Sequence, residues 1–191
     1  LAALVEVELD IRGFQYKDSR DLIGFVAVTE KPKEDARKLA ACITEGEPGA
    51  GGSFVLSQQW VHKLAAFNHL PVKEQEQVVG RTKPDSIELE GDEMPDDSHV
   101  SRTDVKIDGV AQKIWRRSAP YGGASTHGLY FLAFACEQQR FQIQLDRMYG
   151  VTDDGLHDRI IEFSDAVTGS YWFAPCQEDL EALTGEVFTG T

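Results

Sequence analysis

The chain has 191 residues, with 32 acidic and 19 basic side chains and a formal net charge of −13. That length suits one domain or two small ones and supports a core without covalent staples; 41% hydrophobic and 27% charged residues is an ordinary globular composition. The acidic balance argues against nucleic acid or an anionic membrane surface as a partner, because both need a basic face, and no apolar run approaches the roughly 20 residues that span a bilayer.

Residues 1–50 are the least regular part. Leu1 to Ile11 is apolar with interspersed Glu, Gly13-Phe14-Gln15-Tyr16 is short and aromatic, and Glu34 to Ile43 reads as a short helix. The chain opens on Leu1 with no basic-then-apolar signal segment, so its natural start is expected upstream. Glu45 to Gly52, with four glycines and a proline, is a turn-rich break.

Beyond it the pattern sharpens. Ser53 to Val61 alternates as a strand with Phe54, Leu56 and Trp60 on one side. Pro71 opens a helix that runs through Val79 and stops at Gly80. Lys113 to Ala119 and Gly128 to Cys136 read as strands, with Pro120-Tyr121-Gly122-Gly123 starting the hairpin between them. Gln138 to Tyr149 is a helix with Phe141, Leu145 and Met148 on one face, and Asp158 to Phe163 a short helical piece. Tyr171 to Ala174 is a last strand and Gln177 to Leu183 a last helix.

Strand, helix, strand, strand, helix, strand is the split βαβ order of a ferredoxin-like α+β domain, an antiparallel sheet with helices on one face. We divide the chain into a connecting segment, 1–50, and this domain, 51–191, with insertions at 81–111 and 150–169. Leu129 to Ala135 is apolar on both faces, whereas two helices cover only one side of such a sheet. A ligand, a second sheet or another subunit is therefore expected on the other.

Cys42, Cys136 and Cys176 are odd in number and far apart, so neither a disulfide framework nor a thiolate zinc site is supported. Free thiols in a reducing, cytoplasmic compartment are the expectation. No His-Glu-x-x-His, phosphate-binding loop or Gly-x-Ser-x-Gly elbow is present. Pro84 to Asp97 holds seven carboxylates without the ligand spacing of a calcium loop, and reads as a solvated loop. His99 follows it, where polar and apolar sequence meet. Arg116 sits inside a strand, where a cation needs either a carboxylate partner at a sheet edge or a wet cavity.

These residues belong to an ordered set. Gly-Phe-Gln-Tyr-Lys-Asp-Ser-Arg-Asp-Leu-Ile-Gly-Phe-Val at 13–26 resembles the segment leading into the Gly-x-x-Asp-Gly signature of dye-decolourising (DyP-type) haem peroxidases. Gly80-Arg81-Thr82-Lys83, Ser98-His99-Val100, Arg116 to Gly122, Asp158 to Phe163, Ala166 to Gly169 and Phe173-Ala174-Pro175 are similar to its later landmarks. The resemblance covers about 13–183 and is strongest to the bacterial short-loop subgroup. It implies the C-terminal half of a two-domain protein of the dimeric α+β barrel type, in which two ferredoxin-like sheets pack together and haem b sits in the second.

By that resemblance His99 corresponds to the iron ligand and Asp158 to the acid behind it, since an acceptor on one imidazole nitrogen strengthens donation from the other. Arg116 corresponds to the distal arginine that holds peroxide, Arg81 to a haem-propionate partner, and Ser118, Leu129 and Phe131 to the distal lining. One departure is plain: where the family has Gly-x-x-Asp-Gly, this chain reads Gly24-Phe25-Val26-Ala27-Val28. A methyl group at Ala27 cannot carry a proton, help worth roughly 10²–10⁴ in rate.

Three functions follow as expectations. The first is an impaired peroxidase, in which hydrogen peroxide oxidises small organic reductants by one-electron steps. The second is a haem-binding module without turnover. The third is an apo interaction domain that pairs with another copy, or with the missing N-terminal half.

Overall fold

Alternating side chains make β1 (Ser53–His62) the spine of the sheet. The computed structural model describes residues 6–26 and 34–185, so Ala27 and Val28 lie outside the described residues. On one side β1 pairs antiparallel with β6 (His127–Ala135), Phe54 facing Ala135 and Trp60 facing Leu129. On the other it pairs with β8 (Ser170–Ala174) near its start and β7 (Ser164–Ala166) near its end. Outside β6 lie β4 (Trp115–Arg116) and β5 (Ala119–Gly122). With β4/β5 as one edge and β7/β8 as the other, the sheet has the antiparallel split βαβ order of a ferredoxin-like domain.

Helices α2 (Leu64–His69), α3 (Val72–Val79) and α4 (His99–Thr103) lie between β1 and β4 in the chain, and α5 (Gln139–Met148) between β6 and β7. Helix α1 (Glu34–Ala41) precedes the sheet, α6 (Gln177–Thr184) follows it, and β2 (Lys106–Ile107) and β3 (Val110–Ala111) form a small separate ribbon. The expected strand over Lys113–Ala119 is divided between Arg116 and Ala119, where the Leu132 N–H donates to the Ser118 side chain (3.3 Å). Pro120, Tyr121 and Gly122 belong to β5, and the turn begins at Gly123. Proline is tolerated there because β5 is an edge strand.

Two apolar clusters hold the helices on the Leu56–Trp60 face. Phe141 of α5 packs on Leu56, Ala133 and Ala135, joined by Ile114, Phe131 and Leu145. Phe67, Val78 and Val79 pack instead with Phe163 and with Ile23 and Phe25 from the N-terminal segment. Residues 20–26 are thus part of the domain's core, and Arg20 pins them by donating to the Lys83 and Pro84 carbonyls (2.6 and 2.7 Å). At the crowded end of β6 only glycine fits, since any Cβ on Gly128 would run into the Trp60 carbonyl.

The reverse face of the sheet carries Tyr130, which is 43% exposed, and Trp172, which is 60% exposed. Trp115 and Phe134 pack together there with ring centres 5.6 Å apart. The apolar excess of β6 therefore ends in solvent-facing rings.

Candidate functional site

Between the two clusters the helices stand away from the sheet and leave a cavity of about 280 Å³. Leu56, Gln58, Trp60, Leu129 and Phe131 form its sheet wall, and Val79, His99, Val100, Leu145 and Met148 its helical wall. A mainly apolar chamber with a few polar groups is the usual form of a small-molecule site.

The helical wall is built around His99. Gly80 ends α3 with φ 88°, close against Ser98 and Val100, so the end of one helix seats the start of the next. Ser98 is fully buried and caps α4 by accepting from the Ser101 N–H, which makes His99 the first helical residue. Asp158 is also fully buried; its Oδ2 lies 2.6 Å from His99 Nδ1, and its Oδ1 accepts from the Ile160 N–H (2.9 Å). A carboxylate acceptor places the proton on Nδ1 and leaves the Nε2 lone pair available. That nitrogen makes no hydrogen bond among the described residues, and the ring lines the cavity. His99 is therefore held in one orientation at the cavity wall.

One turn further on, the buried Arg102 locks the same helix. It donates to Asp154 through both terminal nitrogens (2.7 and 3.2 Å), to Thr152 (3.1 Å) and to the Arg147 carbonyl (3.0 Å). Arg147 returns bonds to the carbonyls of Arg102 and Ser101. The Arg102 and Thr152 bonds hold the Asp154 carboxyl well below the usual carboxylate range. The 150–158 loop thus grips α4 twice, at Arg102 and at His99.

On the sheet wall, Arg116 and Ser118 are two residues apart and share the cavity face, and both line the cavity with Leu129 and Phe131. Arg117 points to the reverse face and lies over the Trp115 ring, 5.5 Å from its centre. Arg81 lines the cavity while donating to Glu88 (2.6 Å) and to the Ser86 carbonyl (3.1 Å). The turn before Ala27 is tight: Gly24 has φ 94°, Asp21 donates to the Phe25 carbonyl, and Val26 lines the cavity. The structure brings His99, Arg116, Ser118, Leu129, Phe131 and Arg81 to one chamber, with Asp158 buried behind His99, while Ala27 falls outside the described residues. Sequence reading missed two groups here, Arg102 with Asp154, and a buried Asp21–His62–Ser164 set. Neither carries a spacing signal, because the members are distant in the chain.

All three cysteines are free and half-buried. No helix among the described residues is long and apolar enough to cross a membrane.

The family model for Dyp-type peroxidase, C-terminal, matches residues 18–179. The chain is 35% identical over 185 residues to a dye-decolorizing peroxidase of Rhodococcus erythropolis, and 37% identical over 185 residues to one of Mycolicibacterium paratuberculosis. Each alignment covers 95% of this chain and 54% or 52% of the relative, so the chain spans about half their length. Among solved structures it is similar to a DypB variant of Rhodococcus jostii RHA1 in complex with heme (TM-score 0.86, 39% identity, 90% of this chain and 57% of that one). It is also similar to a dye-decolorizing protein from V. cholerae (TM-score 0.83, 48% identity, 89% and 56%). With the fold and with most of that chain order in one match, this chain belongs to the Dyp-type peroxidase family, through its C-terminal part.

Proposed function

We propose that the chain binds haem b in the cavity between the sheet and α4, with His99 as the protein's iron ligand, and supports slow peroxide-dependent oxidation of small organic reductants. The observation that carries this is the buried Asp158 carboxylate 2.6 Å from His99 Nδ1, beside an apolar chamber. The residues fit the group: a neutral imidazole with a free Nε2 is an iron donor, the walls are apolar, and Arg81 offers a cation at the rim. When bound, haem would supply the redox chemistry, two electrons to peroxide and one-electron exchange with the reductant. Asp158 keeps the His99 ring in one tautomer and raises its basicity. Arg116 offers a cation to an oxygen bearing developing negative charge, and Leu129 and Phe131 exclude water. Arg81 would exchange part of its Glu88 pairing for a propionate.

The same reading assigns the weakness to Ala27, which stands where the family pattern has a carboxylate. It also assigns the reverse face of the sheet, with Trp172 and Tyr130 exposed, to a second ferredoxin-like unit, either an N-terminal half or another copy. That face favours one further reading, a module that holds haem or pairs with its partner without turnover. The half-buried free thiols support a reducing, cytoplasmic setting.

Titration of the purified chain with hemin tests this. A Soret band that saturates at one haem per chain and is lost in His99→Ala is the expected result; no band overturns the haem reading. Haem uptake with no spectral response to hydrogen peroxide selects the non-catalytic module.

A further inference from the structure

His62 ends β1 and Ser164 opens β7 as its register partner. Their side chains meet, with His62 Nδ1 2.6 Å from Ser164 Oγ. On the far side of the ring, His62 Nε2 lies 3.0 Å from Asp21 Oδ1. The His62 side chain is 5% exposed and that of Asp21 11%. Asp21 and Ser164 both line the cavity, and His62 bridges them from behind. The proton order follows from the acceptor: the carboxylate requires a proton on Nε2, so the neutral ring accepts from the Ser164 hydroxyl at Nδ1. When the ring is protonated, Nδ1–H donates to Ser164 Oγ instead. One proton can be stored with no heavy atom moving.

No other lining carboxylate among the described residues is similarly placed. Glu88 and Asp104 are 45% and 43% exposed and pair with Arg81 and Lys113. The charged neighbours of the set also have partners: Lys63 pairs with Asp165 and His157 with Glu162, Arg20 pairs with Asp18 and three backbone carbonyls, and Lys83 donates to Gln75. Asp21 Oδ1 also accepts from the Leu22 N–H, and among charged side chains His62 and Asp21 are left with each other, with Ser164 on the far side of the ring. The sequence meanwhile offers only a methyl group at 27.

We propose that Asp21, His62 and Ser164 form the proton acceptor and donor of this cavity, serving hydrogen peroxide in place of the carboxylate absent at 27. The proposal rests on the haem reading above. The chain takes one proton from the peroxide oxygen nearer the iron, leaving imidazolium at His62. It returns that proton to the outer oxygen as the O–O bond breaks, so that this oxygen leaves as water; the two electrons come from the haem. Asp21 stays ionised and stabilises the imidazolium.

The test uses the full chain loaded with hemin, as wild type, His62→Gln, Asp21→Asn and Ser164→Ala. Mixing with hydrogen peroxide should give a first spectral change slowed about tenfold or more in His62→Gln and Asp21→Asn, with the pH dependence flattened. Two readouts stand apart from activity. The pH midpoint of the resting ferric spectrum should move by about one unit in the same variants, and ¹⁵N NMR of the wild-type chain without hemin should show the His62 proton on Nε2. Variants that keep the wild-type Soret band, rate and midpoint overturn the proposal, as does His62→Gln that no longer takes up hemin, which makes the set structural. No Soret band in the wild type removes the haem reading and this inference with it.

Discussion

The two walls of the cavity are built to different standards. The helical wall is fixed several times over: a buried cap at Ser98, a buried acceptor behind His99, and Arg102 tying α4 to the 150–158 loop. The sheet wall has rigid strands and apolar side chains, but its polar members are few: Gln58, Ser164, an edge-strand arginine and a serine whose oxygen is engaged by the Leu132 N–H. Holding a ligand and transforming it are therefore separable here. Under the proposed reading the groups for the first lie on the helical wall, while the second depends on a few polar groups.

The contrast can be broken at its base by removing packing under the helical wall. Phe67 is fully buried between Phe25 and Phe163, so Phe67→Ala should cost about 3–5 kcal/mol in a denaturant melt. A loss near zero would mean that α3 is held by something other than this cluster. Next in size, Ala27→Asp in the hemin-loaded chain should raise the rate with peroxide by up to about 10²-fold, with the larger gain in an Asp21→Asn background; no rise would show that the missing carboxylate is not the defect. Asp158→Asn should instead weaken hemin affinity by about 10–100-fold, read by titration at the Soret band, because the imidazole loses its anionic acceptor.

The smallest effect concerns acid. Asp154 is held below the ordinary carboxylate value of 3.8 by Arg102 and then Thr152. A depressed folded value means that its stabilisation is complete above that pH and is lost as pH falls below it. The melting temperature of the wild type should therefore drop more steeply between about pH 5 and 2.5 than that of Asp154→Asn. Parallel curves would show that the clamp contributes nothing that depends on charge.

Much of this could be read before any coordinates. The alternation of Phe54, Leu56 and Trp60, the proline before α3 with Gly80 after it, and the apolar stripe of α5 are local signals, and each became the element expected. The helices α2 and α4 and the strand β7 were not expected, being short and stabilised by what they pack against rather than by propensity. Lys113–Ala119 was read as one unbroken strand because nothing local announces that the Ser118 side chain will replace a ladder partner.

The amino-acid order by itself determined the split βαβ architecture, the acidic character and, through an ordered set of short motifs, the family and the places of His99, Arg116 and Arg81 in its pattern. The resemblance already implied Asp158 behind His99; only the tertiary structure decided that Arg102 holds the helix on which His99 sits, and that Asp21, His62 and Ser164 meet in one hydrogen-bonded set. Periodicity reports which face a residue occupies, over a few neighbours. Hydrogen bonds between residues 41 to 102 positions apart exist only once the sheet and its helices have closed around the cavity.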